Sequence, residues 1–441
     1  MKKILYIILD GLGDLPIKEL GKRTPLEAAL TPNLDRLAQT GITGIVYPLG
    51  KDIAPESDAA VISLLGYDVL KYYTGRGPLE AFAEGLSIVD GNLALRVNFA
   101  TAVDGGLTIK DRRVGRSLTP EEADNLTKEI NSKVILSNAT FEFKNTVGHR
   151  GVLVIRGMHS SLSGYITNTD PAYARDNLFG QALDKFQDVI QESKPMPGYE
   201  NSLEAIEAAG LLNEFTQKSH QVLNNSTINK KRVFCNLLPA NIILCRSAGD
   251  SLPKLPILSS LYNNLKMGCF VEMPVERGIA LLTGMDIVDI PSSTGHLDVD
   301  YPVWVKVILD ALNRYDGLYI HIKAPDEPGH DGDFIKKKEI IEMIDKFFFA
   351  NLISKINLRD FIVCISADHS TPCVKKAHSQ EPLPLVICGS GIPPDGSLSF
   401  SEKAAKLGSL GELQGSQVMP LLLKYATQLR DGSRNKAKVS P

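Results

Sequence analysis

The sequence predicts an α/β fold: a mostly parallel sheet sandwiched by helices, interrupted by an inserted α+β domain. Three observations carry this. Short apolar runs such as Lys3–Leu9, Gly317–Lys323 and Phe361–Ile365 have the length and continuous hydrophobicity of buried strands. Helical stretches with apolar stripes alternate with them. Between about Ala81 and about Pro239 that rhythm gives way to short alternating runs, turns and helices. The core is therefore expected over 1–84 and 240–429, the insert over 85–239, and a polar, disordered tail over 430–441. A chain of 441 residues has room for two domains.

The elements follow in order. Lys3–Leu9 opens the sheet and closes on Asp10-Gly11, so Asp10 sits at a strand's carboxyl end. Thr31-Pro32 starts a short helix carrying Leu34 and Leu37, and Ile42–Tyr47 is a second strand. Ser57 precedes the apolar helical segment Ala59–Leu65, which Gly66 terminates. A serine there is an ordinary N-cap. It also stands at the positive end of the helix dipole, where a phosphate or alkoxide is stabilised. On the residues alone the cap reading is preferred. In the insert, Leu93–Ala102, Phe141–Phe143 and Gly151–Ile155 read as strands. Thr119-Pro120-Glu121-Glu122 is a capping box, and Ser202–Phe215 an amphipathic helix. The α/β rhythm then resumes with a strand at Asn241–Leu244, a helix at Gly278–Gly284 and a strand at Ile287–Ile290. A helix at Tyr301–Tyr315 carries the stripe Val303, Val307, Ile308 and Leu312. Strand Gly317–Lys323, helix Phe334–Ala350 and strands Phe361–Ile365 and Leu383–Cys388 complete the core.

Composition excludes several classes. Hydrophobic residues at 43% and charged residues at 22% are the balance of a soluble protein with a full core. A formal net charge of −3 argues against a general nucleic-acid binder, while leaving room for a local basic pocket. Six scattered cysteines form no C-x-x-C pair, as expected of reduced core thiols in a cytoplasmic protein. The apolar run after Met1-Lys2-Lys3 is too short for a signal peptide, and no run is long enough to span a membrane. Gly11 and Gly13 form only part of a dinucleotide fingerprint, and there is no G-x-x-x-x-G-K-[ST] loop, so no nucleotide cofactor is expected.

Polar residues gather where strands end. Asp10, then Asp326 with His330, then Asp368 with His369, then His378 all follow apolar strands, and Ser57 adds a hydroxyl at a helix start. In a parallel sheet the carboxyl ends lie along one edge, where ligands collect. Three aspartates and three histidines there would repel one another and desolvate badly without a cation. Divalent metals resolve this, and mixed Asp/His sets suit Mn, Zn or Fe better than Ca or Mg alone. The group is large enough for two ions. Two ions with a serine hydroxyl between them form a phosphoryl-transfer arrangement. Each residue also has a blander role. Asp10 before Gly11 is a turn residue, Asp326 and His330 could cap a helix, and His378 beside Lys375-Lys376 looks like a surface residue. The Asp368-His369 pair, directly after a buried strand, is hardest to explain that way.

With this spacing the chain resembles the alkaline phosphatase superfamily, and more closely the archaeal-type 2,3-bisphosphoglycerate-independent phosphoglycerate mutases. The stretches that carry the resemblance include Ile8-Leu9-Asp10-Gly11-Leu12-Gly13-Asp14, Gly75-Arg76-Gly77-Pro78-Leu79-Glu80, Asp111-Arg112-Arg113-Val114-Gly115-Arg116, Lys323-Ala324-Pro325-Asp326-Glu327-Pro328-Gly329-His330 and Asp368-His369-Ser370-Thr371-Pro372-Cys373. They run from the N-terminus to about Leu423. The resemblance implies an alkaline-phosphatase-like sheet and a nucleophile, Ser57, that becomes phosphoserine. It implies one ion at Asp326, His330 and His378, and another at Asp10, Ser57, Asp368 and His369. The implied cofactors are two divalent ions, Mn(II) first, with Zn, Co or Mg as alternatives, and no 2,3-bisphosphoglycerate. The insert resembles a domain that closes over the glycerate.

Arg76, Arg112, Arg113, Arg116 and Arg150 are candidates to grip carboxylate and phosphate, because a guanidinium binds both bidentately. Lys323 could neutralise phosphate or form a structural ion pair. The sequence departs from the family's pattern at Asn168, where Asp is frequent, and in the loop Pro291–Gly295, which is usually richer in Gly and Ala. Neither position is an inferred ligand. The implied reaction is interconversion of 3-phosphoglycerate and 2-phosphoglycerate, in glycolysis and gluconeogenesis. A phosphatase or another phosphomutase of the superfamily is the alternative; a catalytically inactive metal-stabilised binding protein ranks below it. The expected partner is a small molecule, not nucleic acid or membrane, and the oligomeric state is left open.

Overall fold

Three adjacent parallel strands, Gly317–Ile322, Lys3–Leu9 and Phe361–Ser366, decide where the functional residues lie. The computed structural model describes residues 1–428 apart from 104, 106, 107, 177, 184 and 292. The tail expected to be disordered, 430–441, falls outside the described residues. The chain divides into two units, Met1–Lys71 with Leu255–Pro441, and Tyr72–Lys254.

The first unit is built on an eight-stranded sheet. Its order is Asp286–Ile287, Met267–Val271, Gly317–Ile322, Lys3–Leu9, Phe361–Ser366, Leu383–Gly389, Gly41–Tyr47 and Gly411–Gln414. All neighbours are parallel except that Leu383–Gly389 runs against both of its neighbours. The expected α/β class and mostly parallel sheet are what is found.

The central strands read as unbroken apolar runs because helices cover both faces. Tyr6 donates to the Leu64 carbonyl of helix Ser57–Leu64, which packs with Pro274–Leu282 and Gly415–Thr427 on one side. Leu297–Ala311 packs with the helical stretch that starts at Phe334 and continues to Ile353. Burial of Ile4, Leu5, Ile7, Ile8 and Leu9 is complete, at roughly 1.5–3 kcal/mol per large apolar side chain.

Several expected elements are corrected. The strand placed at Ile287–Ile290 is only Asp286–Ile287. The helix placed at Tyr301–Tyr315 starts earlier, at Leu297, and buries Tyr301, Trp304, Val305 and Ile308 instead of Val303, which is exposed. Tyr301 and Trp304 set this phase by packing edge-on against each other and against Phe348 and Phe270. Cys235 is exposed, whereas the other five cysteines are buried, and all six are free.

The second unit carries a sheet in which Leu93–Val103 pairs with Thr108–Asp111, Arg150–Gly157 and Ile242–Gly249, and Arg150–Gly157 also pairs with Ala139–Asn145. The strand expected at Asn241–Leu244 as the return to the core therefore belongs to this unit. Its antiparallel ladder to Leu93–Val103 holds it there, so the division falls at Lys254 instead of 239. Helix Arg76–Ala83 likewise lies in the second unit, not before residue 84 in the core. Helices Pro120–Lys133 and Leu203–Asn225 cover one face, and Thr119 and Glu122 form the reciprocal capping box the sequence announces.

Candidate active site

Register places the key residues of the first unit side by side. Ile8 lies opposite His321 on one neighbour and Ser366 on the other. Asp10, Lys323 and Asp368 consequently leave adjacent strand ends together. Asp326 and His330 come from the short helix Asp326–Asp331 that follows.

Ser57 is the first residue of its helix and is buried, but it does not cap it. Its Oγ lies 3.1 Å from His369 Nε2, and Glu56, the capping position, makes no side-chain cap bond. The N-cap reading of Ser57 is overturned by this bond to a residue 312 positions away. Asp326 does not cap either. Its Oδ2 accepts from Lys323 Nζ at 2.7 Å and its Oδ1 from Thr371 Oγ1 at 2.7 Å. His378 is not a surface residue: its ring stacks on His369 with centroids 3.6 Å apart.

Around His369 Nε2 sit Ser57 Oγ at 3.1 Å, Asp368 Oδ2 at 3.2 Å and Asp10 Oδ1 at 3.3 Å. Both of those carboxylate oxygens are buried and accept no hydrogen bond. The other oxygen of each is used. Asp10 Oδ2 accepts from Lys323 at 2.8 Å and faces His321 Nε2 at 3.2 Å, and Asp368 Oδ1 accepts from the backbone N–H of Gly11 and His369. Buried polar atoms left without a partner are costly. Two of them converging on one imidazole nitrogen and one hydroxyl form a candidate cation seat.

A second seat lies beside it. His330 Nε2 is 3.2 Å from His378 Nε2 and 3.4 Å from Asp326 Oδ1. His330 Nδ1 faces the Lys376 carbonyl and His378 Nδ1 the Pro55 carbonyl, both at 3.1 Å. Carbonyl oxygens only accept, so each Nδ1 carries a proton and the two rings turn their Nε2 atoms toward each other. Carbonyls that fix the tautomer in this way are the usual outer support of metal-binding histidines. Asp326, His330 and His378 can hold an ion, as can Asp10, Asp326 and His369.

The buried carboxylates and histidines shift one another. Burial pushes the Asp10 carboxyl up, but the Lys323 ammonium and the His321 and His369 rings outweigh it and hold the group well below the usual range. Burial and the neighbouring Asp10 push Asp368 up. Burial works against the charged form of His369, yet Asp368 and Asp10 raise it to about 9. Burial and the adjacent His369 lower His378 to about 3, which keeps its lone pair free.

His321 was not anticipated. It lies inside an apolar strand, and its ring is raised to about 9: burial lowers it, and Asp10, Glu276 and Asp368 more than reverse that. Its Nδ1 is 3.0 Å from the Tyr319 hydroxyl. The raised ring donates Nε2–H to Asp10 and Nδ1–H to the Tyr319 oxygen. Although Asp10, His321 and Asp368 lie close enough to hold an ion, this makes His321 a support for Asp10 rather than a ligand.

The candidate arginines lie in the second unit. Arg76 pairs with Glu80 at 2.6 Å, and Arg112 binds Asp170 through two bonds of 3.0 and 2.7 Å. Arg112, Arg113 and Arg116 line an open pocket of about 450 Å³. Arg150 belongs to the same charged group as Arg76 and Arg113: burial first, then those neighbours, lower it. The sequence reading missed Arg96, Arg246 and His149. Arg246 joins Arg112 on Asp170 at 2.9 Å. Arg96 shares Glu80 with Arg76 but leaves its buried Nε without a hydrogen bond. Burial and Arg150 hold His149 at about 3. Alternation along Leu93–Val103 is the signal that could have found Arg96. These seven guanidinium groups outnumber the two carboxylates paired with them, Glu80 and Asp170, an excess of positive charge suited to an anion.

Comparison with known proteins places these observations. A sequence profile described as 2,3-bisphosphoglycerate-independent phosphoglycerate mutase matches residues 38–229. The enzyme of that name from Aeropyrum pernix is 41% identical over 426 residues, covering 96% of this chain and 99% of the relative. The one from Thermococcus kodakarensis is 39% identical over 423 residues, covering 96% and 97%. Among solved structures, the PH0037 protein from Pyrococcus horikoshii superposes with a TM-score of 0.75 at 29% identity, covering 97% of this chain and 98% of that one. The cofactor-independent phosphoglycerate mutase from Thermoplasma acidophilum superposes with a TM-score of 0.61 at 32% identity, covering 97% and 100%. Near-complete coverage at this identity settles the family: the chain belongs to the 2,3-bisphosphoglycerate-independent phosphoglycerate mutases.

Proposed function

We propose that the chain interconverts 3-phosphoglycerate and 2-phosphoglycerate through a phosphoserine at Ser57. The observation that carries this reading is the Ser57 hydroxyl turned away from its own helix toward His369 Nε2, beside two buried carboxylate oxygens without hydrogen bonds. Asp326, His330 and His378 would hold one divalent ion, and Asp10, Ser57, Asp368 and His369 the other, with Mn(II) as the first choice for both. Such ions lower the pKa of a bound hydroxyl and neutralise the non-bridging oxygens of the phosphoryl group.

Ser57 Oγ forms a bond to phosphorus as the bond to the glycerate oxygen breaks. The proton lost by Ser57 balances the one gained by the released hydroxyl. The other glycerate hydroxyl then takes the phosphoryl group back, and Ser57 recovers its proton. Two inversions at phosphorus give overall retention. Lys323, held between Asp10 and Asp326, sits where it can serve the phosphate. Grip on the substrate's anionic groups falls to Arg76, Arg112, Arg113, Arg116 and Arg150, with Arg96 and Arg246 added.

The test is a coupled assay of Mn(II)-loaded protein on 3-phosphoglycerate without 2,3-bisphosphoglycerate, read for 2-phosphoglycerate and free phosphate, with Ser57→Ala alongside. The expected result is 2-phosphoglycerate without free phosphate, reduced at least about 10³-fold in the variant. Free phosphate as main product would instead indicate a phosphatase.

A further inference from the structure

We propose that Thr371 is a positioning residue that ties the two cation seats together through a single hydroxyl. Thr371 Oγ1 lies 2.7 Å from Asp326 Oδ1 and 3.0 Å from His369 Nδ1, and the residue is fully buried. A hydroxyl has one proton. The ionised carboxylate can only accept, so the proton goes to Asp326, and His369 Nδ1–H must donate to the hydroxyl oxygen. In the neutral ring that direction leaves the lone pair of His369 on Nε2, facing Ser57, Asp10 and Asp368. The same hydroxyl orients Asp326, whose Oδ1 is the oxygen nearest His330 and His378.

Thr371 is itself clamped. Its carbonyl accepts from Lys337 Nζ at 2.9 Å, and its N–H donates to the Gly13 carbonyl at 3.0 Å. Gly11 and Gly329 approach it so closely that a Cβ on Gly11 would lie 2.7 Å from its Oγ1 and one on Gly329 2.9 Å from its Cγ2. The hydroxyl is therefore fixed in place rather than free to rotate away. Valine would fill the same volume without either bond, whereas serine would keep both bonds and lose the methyl.

The proposal rests on His369 and Asp326 being ligands, as read above. The experiment is calorimetric titration of metal-free protein with Mn(II), comparing wild type, Thr371→Val and Thr371→Ser, with thermal unfolding as the control for folding. Thr371→Val is expected to weaken binding about 10- to 100-fold, as loss of an outer support to a ligating histidine does. Thr371→Ser is expected to stay within about 3-fold of wild type, and its rescue separates the hydroxyl from the methyl's packing. Mn(II) affinity unchanged in Thr371→Val, or weakened equally in both variants, overturns the proposal. Wild type that binds no Mn(II) overturns the ligand reading itself and is distinguished from failure of the Thr371 variants alone. If Thr371→Val does not fold, Zn(II)-loaded wild type decides by ¹⁵N-labelled histidine NMR. A downfield, hydrogen-bonded Nδ1–H on His369 coupled to the Thr371 hydroxyl is expected, and a His369 protonated on Nε2 instead overturns the proposal.

Discussion

Replacing Lys337 by methionine probes the strut beneath the site. The Lys337 ammonium is fully buried and donates to Asp14 Oδ2 at 2.9 Å, the Thr371 carbonyl at 2.9 Å and the Gly13 carbonyl at 3.0 Å. Gly13 follows strand Lys3–Leu9 and Thr371 follows strand Phe361–Ser366, so one cation pins both loops. Methionine retains the apolar stem and removes all three bonds. Asp14 is left with backbone donors from Leu15 and Cys373 and no neutralising charge. Two buried carbonyls losing a donor at roughly 1 kcal/mol each, plus about 2 kcal/mol for the charged bond, give about 4 kcal/mol. Breaking one side of a buried ion pair generally costs about 3–5 kcal/mol, which agrees.

Urea unfolding measures this directly. Trp304 is the only tryptophan of the chain, and it is buried in the first unit, so its fluorescence reports the unit that contains Lys337. Lys337→Met is expected to lower the unfolding free energy by about 4 kcal/mol, and adding Asp14→Asn to recover about 1–2 kcal/mol by removing the stranded charge. A loss below about 1 kcal/mol would refute the reasoning, because it would be no larger than that of an ordinary surface substitution.

Three further outcomes are expected. Burial raises the Glu402 carboxyl from 4.5 to about 7, so it favours the folded state below pH 4.5 and loses that advantage as pH rises through 7. Wild type should therefore lose about 3 kcal/mol relative to Glu402→Gln between pH 4 and 8, read by urea unfolding at each pH. Gly11 has φ +63°, and a Cβ there would lie 2.6 Å from Asp326 Oδ1. Gly11→Ala should cost about 2–4 kcal/mol through strain and overpacking, and calorimetry should show weakened Mn(II) binding. Removal of divalent ions with a chelator should abolish turnover and lower thermal stability, with about 2.7 kcal/mol regained at an Mn(II) concentration 100 times its Kd.

Much of the site was legible because of where strands end. Lys3–Leu9 and Phe361–Ser366 are covered on both faces, so their sequences are continuous apolar runs, and Asp10 and Asp368 stand out against them. The same covering conceals His321. It sits within such a run and is absorbed into the strand, while its partner Asp10 is 311 positions away. Ser57 shows the opposite error. Its local context favours a helix cap, and only the approach of His369 takes its hydroxyl elsewhere. The strand Ile242–Gly249 has the same apolar look whether it joins the larger sheet or Leu93–Val103, and nothing local selects its partner. The direction of Leu383–Gly389 is silent for the same reason.

These failures have one cause. A residue whose energetics are settled by neighbours in sequence, such as Thr119 with Glu122, can be read from a short window. A polar group buried beside a strand end cannot, because its burial is tolerated only through partners that distant loops deliver. Where Asp10 Oδ1 and Asp368 Oδ2 remain without a hydrogen bond after every loop is in place, the chain has supplied all it can. The Nε2 atom of His369 lies beside both of those oxygens, while those of His330 and His378 turn toward Asp326 Oδ1. Those unbonded oxygens are what the proposed ion would satisfy, so removal of a metal held there should cost stability as well as activity.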